Sequence, residues 1–213
     1  MTTGKTKVKI CGLATPDTMT AALEGGADFI GLVFYPPSPR HVEINVASYL
    51  AGFVPDHVER VGLFVDPDDI LLEQVLNAVN LSMIQLHGKE TPRRVDEIRQ
   101  KFALPVMKAI AIETADDLKQ APLYEESADW LLFDAKGEKL PGGNGIVFDW
   151  KILENYQSTK PWMLAGGLTA ENVGGALKIL SPDAVDVSSG VESAPGVKDT
   201  DKIRAFLKAV KRA

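Results

Sequence analysis

Eight short apolar runs recur along the whole chain, separated by helix-like segments and turns, and this alternation constrains the fold more than any other feature. The runs are Lys7–Cys11, Phe29–Phe34, Arg60–Phe64, Met83–Leu86, Pro105–Ile110, Trp130–Asp134, Trp162–Ala165 and Ala184–Ser188. Several are rich in Val, Ile or Phe, and most end at Gly, Pro or a polar residue, as strands do. Most do not alternate apolar with polar residues, which is the pattern of strands covered on both faces.

The intervening segments carry helix signals. Thr15-Pro16-Asp17 reads as an N-cap followed by proline at the first helical position, and Gly25-Gly26 ends that helix. Asp66-Pro67 opens a second, with Ile70, Leu71, Val75 and Val79 on an apolar face. Thr91-Pro92 opens a third, with Val95, Ile98 and Phe102 inward; Glu171–Leu180 and Asp199–Val210 follow, with weaker helical signals over 115–121 and 149–156. Eight strand–helix units in 213 residues give a repeat of roughly 27, compact for a (β/α)8 TIM barrel. No compositional break or linker divides the chain, so a single domain over residues 1–213 is expected. An open doubly wound sheet needs fewer strands, and its G-x-G-x-x-G fingerprint is missing from the first turn.

Composition narrows the partners. A net charge of −6 argues against nucleic acid or an anionic membrane, although backbone amides could still bind a small phosphorylated ligand. The lone cysteine excludes an internal disulfide and suits a reducing compartment. There is no long apolar run, and the first residues have no apolar core of a secretion signal, so a cytoplasmic enzyme is expected. The three histidines have no metal-ligand spacing, and no metal is assigned.

Barrel active sites lie at the carboxyl ends of the strands. Here those ends carry Cys11, Tyr35 to His41, Gln85-Leu86-His87-Gly88, Asp134, Gly166-Gly167 and Ser188-Ser189-Gly190, so chemistry-capable residues gather on one face. Pro141 to Gly145 add a glycine-rich loop after the sixth strand. The turns at Gly166-Gly167 and Ser189-Gly190 follow the last two strands, where barrels often build a phosphate site; ordinary turn chemistry explains them equally well.

Cys11 is either a buried small hydrophobe or, at the mouth of a barrel, a reactive thiol that needs thiolate character. Strand alternation puts Lys9 on the same side, one layer deeper, and closure of the barrel brings Asp186 beside it, so a buried Lys9–Asp186 pair is expected. Asp134 ends an apolar run; desolvation there would raise its pKa and suit a general acid, against a helix cap or loop ion pair. Arg40 is a candidate for an anionic group of a substrate or a surface charge. Lys108 and Gln85 are expected to face inward. His87 lies near the mouth, as a supporting group or a structural hydrogen-bonder.

Together these motifs resemble a known family. K-I-C-G-L at Lys9–Leu13, F-Y-P-P-S-P-R at Phe34–Arg40, Q-L-H-G at Gln85–Gly88 and D-V-S-S-G-V-E at Asp186–Glu192 occur in that order. With F-D at Phe133–Asp134, G-G-N-G at Gly142–Gly145, F-D-W at Phe148–Trp150 and G-G-L at Gly166–Leu168, they resemble phosphoribosylanthranilate isomerase of tryptophan biosynthesis. The resemblance implies a single-domain (β/α)8 barrel with no cofactor, acting on a small phosphorylated sugar–anthranilate as a monomer or homodimer. The implied reaction is an Amadori rearrangement of N-(5-phosphoribosyl)anthranilate to 1-(2-carboxyphenylamino)-1-deoxyribulose 5-phosphate. It implies Cys11 as general base, Asp134 as general acid, Arg40 near the anthranilate end, and Gly166, Gly167, Ser189 and Gly190 in the phosphate-binding turns. Asn144 and Ala14 depart from the residues common in the family. The rival readings are another phosphosugar barrel enzyme, such as the aldose–ketose isomerase of histidine biosynthesis, and a noncatalytic phosphosugar-binding barrel.

Overall fold

Each apolar run forms a parallel strand, and the last pairs with the first. The computed structural model describes residues 6–136 and 149–213. Its strands are β1 (Lys7–Cys11), β2 (Phe29–Val33), β3 (Glu59–Phe64), β4 (Met83–Leu86), β5 (Val106–Ile112), β6 (Trp130–Ala135), β7 (Trp162–Leu164) and β8 (Ala184–Val187). They close into a barrel in sequence order, a TIM barrel, with β8 hydrogen-bonded to β1. The glycine-rich loop at Pro141–Gly145, with Asn144, lies outside the described residues, as do Met1 to Lys5.

Two packed layers explain the missing alternation. Inside the barrel, Phe29, Val61, Met83, Met107, Leu132, Met163 and Ala184 form one apolar cluster. On the outside, Val8, Ile10, Ile30, Leu32, Ile84, Leu131 and Val185 pack under the helices. Residues on both faces are therefore withdrawn from water.

The register corrects one expectation. Met107 pairs with Gln85 and Lys108 with Leu86, so Gln85 shares the interior face and Lys108 lies on the helix side. Lys108 does not face inward. It stays buried because its ammonium reaches Glu90 Oε2 at 2.8 Å and the carbonyls of Gly88 and Leu86 at 2.8 and 3.3 Å. A buried cation is tolerated where a counter-charge and acceptors replace its water.

The helices are α1 (Pro16–Gly25), α2 (Ile44–Ala51), α3 (Asp69–Ala78), α4 (Pro92–Phe102), α5 (Ala121–Tyr124), α6 (Val173–Ile179) and α7 (Thr200–Val210). Thr15 caps α1 by accepting from Thr18 N, and Gly26, at φ +81°, turns the chain out. Thr91 caps α4 in the same way through Arg94 N. The helix expected from Asp66-Pro67 begins later: Asp68 is its cap, accepting from Leu71 N at 2.8 Å. Its buried residues are Leu72 and Val75, and Ile70 is 64% exposed.

The α2 helix carries no sequence signal strong enough to expect it. It is two turns long and contains Asn45 and Ser48, and its N-cap Glu43 makes no side-chain capping bond. Ala47, Leu50 and Ala51 hold it against the barrel. The weak segment at 115–121 is a 3-10 turn over Ala115–Gln120 leading into α5; that at 149–156 is a 3-10 turn over Trp150–Leu153. After β8 the chain adds an unexpected hairpin, β9 (Glu192–Ala194) with β10 (Val197–Lys198). Among the described residues no helix is long and apolar enough to cross a membrane.

Candidate active site

The strand ends border a cleft at the carboxyl face of the barrel, about 600 Å³ of open space with the solvent at its mouth included. Cys11, Arg40, His87, Asp134, Gly166, Gly167, Asp186 and Ser189 all line it, with Tyr35, Ser38 and Leu168. Residues from the first strand to the last thus meet around one cavity. Lys9 and Gly190 do not line it. The α-carbon of Gly190 lies so close to the Leu168 carbonyl that no side chain fits there.

Beneath the thiol, Lys9 Nζ donates to Asp186 Oδ1 at 3.0 Å, and the two residues are register partners across the β1–β8 seam. Lys9 is fully buried. Burial pushes its ammonium toward neutrality, but Asp186 and Cys11 more than reverse this and hold it above the ordinary lysine range. Cys11 is 3% exposed. Burial raises the thiol's pKa, Lys9 and Lys198 pull it back, Asp186 pushes it up, and the net direction is upward. The resting sulfur is therefore a thiol at neutral pH, with a cation placed below it to receive a thiolate.

Gly31 makes room for that sulfur. It pairs with Cys11 across β1 and β2, and a Cβ there would meet Sγ at 2.9 Å and the Cys11 α-carbon at 3.0 Å. Nothing in the sequence singled it out, because the contact arises from strand register alone.

Asp134 lies one residue before the end of β6, on the far side of the mouth. Its Oδ2 lies 3.1 Å from His87 Nε2, and His87 Nδ1 lies 2.9 Å from Gln85 Nε2. Gln85 is fully buried. The sequence reading had Gln85 inward and His87 at the mouth, but not that the two form a line ending on the aspartate.

Arg40, 9% exposed, is not a surface charge. Its Nε donates to Glu192 Oε1 at 2.7 Å and its Nη2 to Glu192 Oε2 at 2.8 Å, a bidentate pairing. Lys198 Nζ reaches the same Glu192 Oε1 at 2.7 Å, and also Ser188 O and Oγ at 2.9 and 3.1 Å. Ser188 Oγ in turn donates to the Cys11 carbonyl at 3.3 Å. Glu192 is held below the usual carboxylate range: burial would raise it, and Arg40 and Lys198 outweigh that. Burial drives Lys198 below the ordinary lysine range despite Glu192. Lys198 was missed by the sequence reading because it sits in the hairpin, beyond any strand end.

The turns after β7 and β8 face the cleft at Gly166, Gly167 and Ser189. Gly166 has φ +87°, and a Cβ on it would strike Ala135 N at 2.5 Å. The turn therefore needs glycine for its conformation and its packing alike. Among the described residues, no group of three or more His, Cys, Asp or Glu side chains could hold a metal ion.

Residues 8–209 match the family model described as N-(5'phosphoribosyl)anthranilate (PRA) isomerase. The chain belongs to this family, and it is an isomerase. A relative from Paramagnetospirillum magneticum named N-(5'-phosphoribosyl)anthranilate isomerase is 56% identical over 208 residues, covering 96% of this chain and 97% of the relative. One of the same name from Parvibaculum lavamentivorans is 49% identical, covering 97% and 99%. The phosphoribosyl anthranilate isomerase structure from Thermotoga maritima superposes with a TM-score of 0.89 at 36% identity, covering 98% of this chain and all of that one. Another structure of the family, in complex with reduced 1-(o-carboxyphenylamino)-1-deoxyribulose 5-phosphate, superposes with a TM-score of 0.84 at 34% identity, over 98% and 100% of the two chains.

Proposed function

We propose that this chain converts N-(5-phosphoribosyl)anthranilate to 1-(2-carboxyphenylamino)-1-deoxyribulose 5-phosphate in tryptophan biosynthesis, with Asp134 as general acid and Cys11 as general base. The isomerase activity follows from membership of the family. The division of labour rests on one observation: a carboxyl group on β6 and a thiol on β1 line the same cleft from strands that are not neighbours. An acid and a base on different sides of one substrate are what an aldose–ketose rearrangement requires.

Protonated Asp134 gives its proton to the ribose ring oxygen as the C1'–O bond breaks. The lone pair of the anilino nitrogen forms the C1'=N bond, giving a cationic iminium. Cys11, as thiolate, removes the C2' proton, and the C–H electrons become the C1'=C2' bond while the nitrogen regains its lone pair. The enol at C2' then tautomerises to the ketone, with a proton added at C1'. One proton is given at the ring oxygen and one is taken at C2'. The iminium serves as the electron sink. The amides of the Gly166-Gly167 and Ser189 turns suit the phosphate, and Arg40, fixed by Glu192, suits the anthranilate carboxylate.

The test is a fluorescence assay with freshly prepared phosphoribosylanthranilate. Cys11→Ala and Asp134→Asn should each lower kcat by about 10²–10⁴-fold while the proteins stay folded by circular dichroism. Full turnover by either variant would remove that residue from its role. Consumption no faster than spontaneous hydrolysis by the unaltered chain would remove the activity itself.

A further inference from the structure

Three side chains in a row, Gln85, His87 and Asp134, bear on where the proton sits on His87. Gln85 Nε2, His87 Nδ1, His87 Nε2 and Asp134 Oδ2 are linked by contacts of 2.9 and 3.1 Å. The His87 side chain is 9% exposed and that of Asp134 10%. An amide NH2 donates and does not accept. With the amide nitrogen facing Nδ1, Nδ1 is the bare nitrogen and Nε2 carries the hydrogen that points at Asp134.

We propose that Gln85 is a positioning residue for the acid: it holds His87 as the neutral Nε2–H tautomer, so that Asp134 Oδ2 is always an acceptor and the acidic proton is carried on Oδ1. This deepens the reading of Asp134 as general acid and rests on it. A doubly protonated His87 would set N–H against N–H at Gln85, and it would place a full cation beside Asp134, favouring the ionised carboxylate that cannot donate. A neutral donor has neither effect. It satisfies Oδ2 in the acid and in its conjugate base, so no imidazole proton has to move during turnover.

The amide orientation is what selects this state. In it, Gln85 Oε1 is buried without a partner among the described residues. Turned over, the amide would present Oε1 to Nδ1 and require Nδ1–H. Bare Nε2 would then face Asp134 and hold the carboxyl proton in a hydrogen bond to itself, away from the substrate. The charged groups on adjoining elements are engaged elsewhere. Lys108 on β5 is paired with Glu90, Lys136 after β6 with Glu113, and Asp66 after β3 accepts from Lys89 N at 2.6 Å. Across the mouth, Lys9 on β1 is paired with Asp186 on β8.

The decisive measurement is a long-range proton–nitrogen correlation spectrum of the full-length protein labelled with 15N-histidine, with His87 assigned by its loss in His87→Asn. A single protonated nitrogen, Nε2, is expected. An Nδ1–H or doubly protonated His87 overturns the proposal. Gln85→Glu, which offers an acceptor where a donor stood, should protonate both nitrogens and lower kcat by roughly 10–100-fold with KM little changed. Wild-type kcat in a Gln85→Glu protein whose His87 has become doubly protonated would also overturn it. Should the buried carboxylate prevent folding, Gln85→Met keeps the length without the donor. There a mixture of tautomers and a reduced kcat are expected, and a pure Nε2–H signal with wild-type kcat would refute the role of Gln85. Full activity in Asp134→Asn would remove the acid assignment alone, because the wild-type nitrogen spectrum reads the tautomer whichever residue is the acid.

Discussion

Lys9 and Asp186 meet across the seam where the barrel closes, with the ammonium 3.0 Å from the carboxylate and the Cys11 thiol one layer above. The pair ties the first strand to the last at the depth where neither charge could stand alone.

Lys9→Met should therefore destabilise the protein by about 3–5 kcal/mol, because Asp186 is left buried and unpaired. Lys9→Met combined with Asp186→Leu should recover much of the loss, as an apolar pair needs no compensation. Urea denaturation of the wild type and both variants checks this. In folded Lys9→Met, alkylation of Cys11 at neutral pH should slow, since the cation favouring the thiolate is gone; unchanged labelling kinetics would sink that link.

The upward shift of Cys11 gives a pH prediction with a definite sign. A thiol that ionises above its ordinary range is protonated at neutral pH, and its thiolate fraction grows about tenfold per unit below that pKa. With Cys11 as base, kcat/KM should rise with pH at near-unit slope from about pH 6 to 8. A rate profile flat over that interval would argue that the sulfur is not the group that titrates into the active form.

Gly31→Ala places a methyl carbon 2.9 Å from the position of Sγ. The thiol must tilt away, and because the same carbon meets the Cys11 α-carbon at 3.0 Å, β1 and β2 must also part slightly. We expect kcat to fall by about tenfold or more, as misplacement of a reacting group by a fraction of an ångström does, with a small loss of thermal stability. Parallel melting curves and steady-state assays separate the two effects; unaltered kcat would show that the sulfur has slack.

Glu90 accepts from Lys108 Nζ, from Asp66 N at 2.9 Å and from Gly88 N at 3.0–3.1 Å. It thus anchors the turn that follows His87. Lys108→Met should cost about 3–5 kcal/mol by stripping a buried carboxylate of its counter-charge, and should raise amide exchange at Gly88 and Lys89 first. Hydrogen exchange confined to the global unfolding rate would contradict this anchoring.

The legible part of the molecule was what strand order and strand ends encode. Cys11, Asp134, Gly166 and Ser189 could be placed on one face, and Lys9 could be set beside Asp186, because side chains alternate along a strand and a closed barrel joins its last strand to its first. What escaped depends on partners far apart in the chain or on local rotation. The Arg40–Glu192 pairing spans 152 positions. Ile70 faces solvent because the buried stripe of this helix runs through Leu72, Val75 and Val79, which tertiary packing selects. Lys108 was misjudged because a buried lysine was expected to point at the pocket, whereas register put it on the helix side with Glu90. Helix α2 lacks a cap signal, and Gly31 looks like any strand glycine until its neighbour is known.

Arg40, Glu192 and Lys198 also bear on how such a barrel can be altered. The loop after the second strand and the hairpin after the eighth share one carboxylate, so neither can be exchanged alone. A graft that imports a foreign second loop without Arg40 leaves Glu192 and Lys198 mismatched beside Cys11, and one that replaces the hairpin removes the carboxylate to which the guanidinium is bidentate. For anyone recombining units of this fold, the smallest transferable block at this end of the barrel is therefore two loops that are distant in sequence and inseparable in charge.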